Sequence, residues 1–307
     1  MENSSERNNL EHQIQNIADS FSGDLSFAAK NIDSGEEISY NADQILPSAS
    51  TIKVTILAEL FRQAREEGLD LSSRLDMQQS DIVGGSGILK ELGPGLSPSL
   101  MDLATLMIIV SDNTATNMLI DRVGGVERVN ETMDAYGLSS LRLHSRVDFE
   151  HIGNDVRRFA EGTAAGFMQF GAMLLEGEMV DAPSSASMIE ILDKQQYLDQ
   201  VPRFLNVFPG AKDINRETAI SVGCKTGFFP GTRVDAGVIR IQNGPRIAYC
   251  AMATGSSDLS IAAESEPAVV NGLLGRAMVE HWWPEGIDIT PAVLDSPYVK
   301  RALRPAE

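Results

Sequence analysis

A serine and a lysine three residues apart, Ser50 and Lys53, could together form a reactive site. They open an apolar run at residues 51–60, which predicts a largely buried helix after a loop at Pro47 and Ser48. Because side chains three apart share one face of a helix, the hydroxyl and the amine would project together. An amine that can take the proton of a hydroxyl is what a serine nucleophile needs. A capping serine followed by a solvated lysine would give the same pattern.

A second group of polar residues, Ser111, Asp112 and Asn113, interrupts two apolar helices that we predict at residues 100–110 and 114–123. Residues two apart do not face each other on a helix, so Ser111 and Asn113 can share a site only if this segment is a turn. The alternative is that Asp112 or Asn113 simply caps the second helix.

A third group, Lys225, Thr226 and Gly227, ends a strand predicted at residues 219–226. Here a lysine and a hydroxyl stand beside a glycine, which lets a ligand approach the backbone. An exposed lysine at the end of a strand would look the same, so this group alone does not define a site.

The elements around these groups predict a mixed α+β fold. A five-stranded antiparallel sheet, flanked by terminal helices, would be built from the two ends of the chain, and an all-helical subdomain would be inserted between them. The predicted division is residues 1–49 with 206–307 for the sheet and 50–205 for the helices, with a cleft between the halves. The predicted strands are 25–32, 37–40, 219–226, 234–241 and 246–254, and the terminal helices are 8–21 and 261–282.

Two segments have no regular pattern. Residues 141–162 read as a long irregular loop, and loops of that length are often functional. The chain after Pro284 is spaced by prolines and reads as a strap or a frayed end.

Composition narrows the classes of partner. The formal net charge of −18 argues against nucleic acid and against anionic membranes. The two cysteines are too few for a disulfide scaffold, the histidines lack ligand spacing, and neither a metal nor another cofactor is expected. No apolar run is long enough to span a membrane, and the first residues lack the features of an export signal. We expect a monomer that is cytoplasmic as written, or periplasmic or secreted if a signal was removed.

The three polar groups, read in order as S-x-x-K, S-D-N and K-T-G, are the signature of class A β-lactamases and penicillin-binding proteins. The chain resembles the class A β-lactamase family over nearly its whole length, from about residue 10 to residue 283. Further supporting stretches are residues 38–53, 106–121 and 198–202.

The resemblance implies serine acyl transfer followed by hydrolysis of a β-lactam or a related acyl substrate. Ser50 would attack the carbonyl, and Lys53, directly or with Glu150 through a water, would take its proton. Backbone N–H groups of Ser50 and Phe228 would hold the oxyanion. Ser111 would transfer a proton to the leaving nitrogen, and Asn113 would bind the substrate amide. Lys225 and Thr226, beside Gly227, would bind the substrate carboxylate.

Removal of the acyl group by water requires a base, which the resemblance places on the long loop. Glu150 and Asn154 have the expected spacing of four residues there, although the leucine usual before the asparagine is missing and the loop is shortened. Asp148 is the second choice for this base.

Other departures from the family bear on the substrate. Phe228 and Phe229 follow the K-T-G where small residues are common, and Ser86-Gly87 stands where many members carry an aromatic. Arg233 has two possible roles: it would bind a substrate carboxylate, or it would be an ordinary surface arginine. Two alternatives to a β-lactamase stay open: an esterase or D-amino-acid peptidase, and a penicillin-binding sensor that stays acylated.

Overall fold

The computed structural model describes residues 2–208, 210, 212–214 and 218–284, and it has the predicted α+β architecture. The predicted tail after Pro284 lies outside the described residues. The helices are α1 (Glu2–Ser20), α2 (Lys53–Glu66), α3 (Leu100–Ile109), α4 (Asn113–Val123), α5 (Val126–Ala135), α6 (Phe149–Ile152), α7 (Ala164–Glu176), α8 (Ala182–Leu192) and α9 (Glu266–Trp282). The strands are β1 (Asp24–Asn31), β2 (Glu37–Tyr40), β3 (Leu46–Pro47), β4 (Arg142–Leu143), β5 (Ala160–Gly162), β6 (Ile220–Phe229), β7 (Thr232–Ile241) and β8 (Arg246–Thr254).

The main sheet is antiparallel and has the spatial order β2-β1-β8-β7-β6, which confirms the five predicted strands. One apolar cluster joins one face of this sheet to α1 and α9, and a second cluster joins the other face to α2, α7 and the remaining helices. Successive residues of a strand point to opposite faces, so β8 supplies Tyr249 to the first cluster and Cys250 to the second. Strand β6 is the last in the order, and its K-T-G end therefore lies at an edge of the sheet.

Several boundaries differ from those predicted, and α1 begins at Glu2 rather than at residue 8. Residues 141–162 are not wholly irregular, because they contain β4, α6 and β5, and the first and last of these pair in a small sheet of order β3-β5-β4. Residues 50–205 are therefore not entirely helical. Strand β6 continues through Phe229, and α9 begins at Glu266 rather than at residue 261. The division of the chain into two subdomains stays a prediction.

None of the helices in the described part of the chain combines the length and the apolar character that a bilayer crossing needs.

The chain enters α2 through a strained 3₁₀ turn, Ala49–Ile52. Ala49 has φ +45°, in the left-handed region, which costs a residue with a side chain roughly 1–2 kcal/mol. Such strain persists where the surrounding structure enforces it. Here Pro47 is held by β5 and Ser48 donates its N–H to Ala160, so the small sheet fixes the turn that carries Ser50.

We predict that Ala49→Gly leaves the free energy of unfolding within about 0.5 kcal/mol of the wild type. Relief of the strain offsets the lost methyl burial and the greater freedom of glycine in the unfolded chain. Ala58→Gly, a matched change at a buried position within α2, lacks this compensation and should cost about 1.5–2 kcal/mol. Urea denaturation measures both values, and equal losses would show that Ala49 is not strained.

Candidate active site

Ser50 lies on the 3₁₀ turn and is partly exposed. Side chains three apart eclipse each other on such a turn, so Ser50 and Lys53 still share one side, as predicted. The first hydrogen bond of the turn runs from the Thr51 N–H to the Ser48 carbonyl, at 3.1 Å. The Ser50 N–H precedes this bond and has no acceptor among the described residues, so it can hold negative charge that develops beside the hydroxyl.

Lys53 is fully buried, and its amine joins the first two polar groups. Its Nζ donates to the Ser111 carbonyl at 2.8 Å, to the Asn113 Oδ1 at 2.9 Å, and lies 3.2 Å from the Ser111 Oγ. The contact with both residues confirms that the segment between the helices is a turn.

The turn between α3 and α4 is stabilised by hydrogen bonds to its middle residue, Asp112. Ser111 adopts φ +54°, which aims its side chain at Lys53, and Asp112 accepts the Ala115 N–H at 3.0 Å as the cap of α4. The other Asp112 oxygen accepts the N–H groups of Ile88 and Leu89 at 2.7 and 2.9 Å. The two readings of this segment are therefore both correct, since the aspartate caps the helix while its neighbours form the site.

Two further residues lie beside this turn: Ser86, which the sequence indicated only as a departure from the family, and Phe149, which sequence reasoning missed. The Ser86 Oγ donates to the Ser111 carbonyl at 2.9 Å, and the Phe149 ring packs where a side chain on Gly85 would be. A Cβ at Gly85 would lie 2.7 Å from both the Phe149 ring and the Asn113 Nδ2, so only glycine fits there. The available signal was the three glycines at positions 84, 85 and 87, because glycines in a loop allow other groups to approach the backbone closely.

The K-T-G segment lies directly against the turn of Ser50. A Cβ on Gly227 would lie 2.6 Å from the Ser48 carbonyl and 2.8 Å from the Thr51 Oγ1, so a larger residue would push the two elements apart. Lys225 is fully buried and Thr226 nearly so, and the Lys225 Nζ donates to the Thr226 carbonyl at 2.6 Å. The structure thus brings the third polar group to the first.

Burial lowers the pKa of both lysines. Burial, followed by repulsion from Lys225, lowers the pKa of Lys53 well below its usual value, and Asp112 opposes this only in part. Burial lowers the pKa of Lys225 to about 7, against the opposing influence of Cys224 and Asp235. A lowered pKa favours the neutral amine of Lys53, which is the form that can accept a proton.

Arg233 is not presented to the cleft as a carboxylate-binding group. Its side chain is only 2% exposed, and it donates to the carbonyls of Phe229, Thr232 and Ser260 at 2.9–3.2 Å. The Phe228 ring lies over its guanidinium carbon at 5.4 Å from the ring centroid and is itself 47% exposed. A substrate would meet Phe228 first, so the predicted role of Arg233 would require this ring to move.

The structure does not bring Glu150 or Asn154 into the cluster. Helix α6 turns Phe149 toward Asn113 and buries Ile152, and residues next to Phe149 on a helix point elsewhere. Glu150 and Asn154 are exposed, and their side chains make no hydrogen bond or ion pair with any residue the structure describes. Asp148, the second choice, caps α6 through the N–H groups of residues 150 and 151.

Within the described ranges, no three His, Cys, Asp or Glu side chains come together in a way that could hold a metal ion. Cys224 and Cys250 are both buried and free, so no disulfide joins them.

The structure brings S-x-x-K, S-D-N and K-T-G together within an α+β fold. The chain belongs to the beta-lactamase enzyme family, whose model matches residues 9–282, and the resemblance inferred from the three groups is therefore confirmed.

Curated relatives match over part of the chain. Beta-lactamase CTX-M-97 of Escherichia coli is 29% identical over 136 residues, which are 44% of this chain and 46% of that protein. Beta-lactamase CARB-4 of Pseudomonas aeruginosa is 28% identical over 142 residues, or 46% and 49% of the two chains. The chain thus spans less than half the length of these curated relatives.

Solved structures match over most of the chain. A beta-lactamase from Sphaerobacter thermophilus is 25% identical with a TM-score of 0.77, and the match covers 88% of this chain and 95% of that one. The structure of PBP-A is 25% identical with a TM-score of 0.76, covering 89% and 95%. These similarities confirm the α+β fold class.

We predict that binding of a substrate carboxylate weakens as the pH rises through about 7, because Lys225 then loses its proton. The kcat/KM for a carboxylate-bearing acyl substrate, divided by that for a neutral ester, should fall more than about tenfold between about pH 6 and pH 9. Lys225→Arg, which stays charged, should remove this dependence on pH. An unchanged ratio in the wild type would show that Lys225 does not bind the carboxylate.

Proposed function

We propose that the protein is a serine β-lactamase that opens the lactam amide through an acyl-enzyme on Ser50. The observation that carries the proposal is the contact between the buried Lys53 amine and the Ser111 hydroxyl, 3.2 Å apart, beside the turn of Ser50. This pair links a base next to the nucleophile to a hydroxyl that can pass a proton onward.

The acylation step follows from these groups. Ser50 attacks the lactam carbonyl, and Lys53, directly or with Glu150 through a water, takes its proton. The N–H groups of Ser50 and Phe228 hold the oxyanion, each contributing roughly 3–4 kcal/mol by analogy with other oxyanion donors. Ser111 delivers the proton to the leaving nitrogen, and Lys225 binds the substrate carboxylate.

Asn113 has less freedom than the sequence argument assumed. Its Oδ1 accepts from Lys53, and its Nδ2 donates to the Gly84 carbonyl at 2.9 Å. The second N–H of this amide remains for a substrate carbonyl, so Asn113 both holds Lys53 and binds substrate in the proposed mechanism.

Deacylation requires a base that activates water. We propose Glu150 as that base, which requires α6 to turn its carboxylate from solvent into the cleft.

The second candidate function is that of a penicillin-binding protein whose acyl-enzyme persists. The observation that favours it is that, in the part of the chain described, neither Lys53 nor Ser111 hydrogen-bonds a carboxylate. A variant of PBP-A, a protein of the same fold, forms an acyl-enzyme complex with penicillin G.

Removing the Ser50 hydroxyl tests the acylation step. Ser50→Ala should lower nitrocefin hydrolysis more than about 10³-fold and abolish the mass adduct formed with penicillin G, because no nucleophile remains. Ser48→Ala is the matched control, since its buried hydroxyl has no hydrogen-bond partner among the described residues, and its activity should be near that of the wild type. Native turnover by the Ser50 variant would refute the assignment.

The lifetime of the acyl-enzyme separates the two candidates. Intact-mass spectrometry over time should show an adduct that the wild type loses quickly and that Glu150→Gln retains, because the variant lacks the base. Asp148→Asn tests the second choice in the same way. An adduct that the wild type itself retains would favour the penicillin-binding protein, and equal loss in wild type and Glu150→Gln would exclude Glu150 as the base.

The same machinery could serve an esterase or a D-amino-acid peptidase. Two exposed aromatic rings, Phe149 and Phe228, stand beside the site, at 46% and 47% exposure. Such apolar walls suit substrates other than compact lactams. Parallel assays with nitrocefin, a short-chain p-nitrophenyl ester and a peptide ending in D-alanine rank the three classes by kcat/KM.

A further inference from the structure

Two buried amide side chains, Gln200 and Asn271, lie behind the K-T-G end of β6. The Gln200 Nε2 donates to the Gly227 carbonyl at 3.4 Å, and the Gln200 Oε1 accepts from the Asn271 Nδ2 at 2.9 Å. Gln200 is 2% exposed and Asn271 is not exposed at all. Burying an amide costs free energy unless its polar atoms are hydrogen-bonded, so the bonds that these two side chains make matter for the stability of this strand end.

The carbonyl that Gln200 contacts belongs to the peptide unit that carries the Phe228 N–H. A trans peptide is planar, and its C=O and N–H point in opposite directions. A hydrogen bond that holds the Gly227 carbonyl therefore also sets the direction of the Phe228 N–H. Gly227 packs against the Ser48 carbonyl and Thr51, so this peptide unit borders the turn of the nucleophile.

The position of Gln200 is itself fixed by two elements. The next residue, Val201, donates its N–H to the buried Asp235 carboxyl on β7 at 3.0 Å. Asn271, on α9, also donates to the carbonyl of Arg233 at 3.1 Å, and Arg233 is the cross-strand partner of Phe228. The two amides thus join α9 to both strands at the step of the ladder that contains the oxyanion donor.

We propose that Gln200 is a positioning residue that aims the Phe228 N–H at the oxyanion, and that Asn271 holds Gln200 in place. This inference rests on the proposed function, since it assigns a support to the oxyanion site of that reaction. It predicts an effect on acylation rather than on substrate binding, because the N–H acts on charge that develops in the transition state.

Gln200→Met keeps the length of the side chain and removes its donor. The acylation rate constant at saturating nitrocefin should fall about tenfold, with little change in substrate affinity. Gln195→Met is the matched control, because Gln195 is equally buried and also donates to a carbonyl of β6, that of Cys224, at 3.0 Å. A similar rate loss in both variants, or none in Gln200→Met, overturns the proposal.

Gln200→Glu provides a rescue that a purely structural role would not show. A protonated carboxyl can donate to the Gly227 carbonyl and an ionised one cannot. The acylation rate relative to wild type at the same pH should therefore rise as the pH is lowered. A ratio independent of pH overturns the proposal, and this variant also tests it if Gln200→Met does not fold.

The amide resonance of Phe228 in ¹⁵N-labelled protein separates this inference from the proposed function. Loss of the bond to the Gly227 carbonyl should move that resonance in Gln200→Met and not in Gln195→Met, whatever the reaction. If the wild type forms no acyl-enzyme, the proposed function fails while the resonance still reports on the positioning. An unmoved resonance contradicts the inference even if the enzyme is active.

Discussion

The structure depends on holding two lysine amines, Lys53 and Lys225, away from water in one site where, among the described residues, no carboxylate is hydrogen-bonded to either. An isolated buried ammonium is costly, and the cost is reduced when the amine gives up its proton. The protein meets this constraint by supplying neutral acceptors instead of charges. The Ser111 carbonyl, the Asn113 amide oxygen and the Thr226 carbonyl receive the lysine hydrogens. An amine kept in this way can take a proton from a neighbouring hydroxyl.

The features around the lysines follow from bringing three distant segments to one point. Gly227 allows β6 to touch the turn of Ser50, and Gly85 allows Phe149 to pack beside Asn113. Ala49, just before Ser50, and Ser111, beside the amine of Lys53, both adopt left-handed backbone conformations. Strain and close contacts of this kind are tolerated because the small sheet, the cap of α4 and the buried amides hold the segments from outside.

The sequence predicted the sheet and the three polar groups because period-two alternation and short motifs are local signals. The outward direction of Glu150, which the sequence did not predict, has a physical cause. The spacing to Asn154 is a property of the loop, whereas the direction of the carboxylate depends on how the four-residue α6 packs. Ile152 is buried and the half-exposed Phe149 packs against Gly85, so Glu150 faces away from both.

Arg233 and the buried amides show a second limit. An arginine near a turn is usually exposed, and nothing in the residue type reveals that three carbonyls and the Phe228 ring enclose this one. Gln200 and Asn271 lie 71 residues apart, so their contact depends on how α9 crosses the sheet. Tertiary packing, rather than local pattern, decides each of these positions.

The most direct test of the account is the titration of lysine side chains in protein labelled at the lysine amine and adjacent carbon, followed by NMR. Lys53→Arg and Lys225→Arg assign the two resonances. The account predicts that both amines lose their protons well below the ordinary pKa of 10.5, that of Lys225 near 7. Two amines that titrate near 10.5 would contradict it, because Lys53 would then be an ammonium unable to activate Ser50.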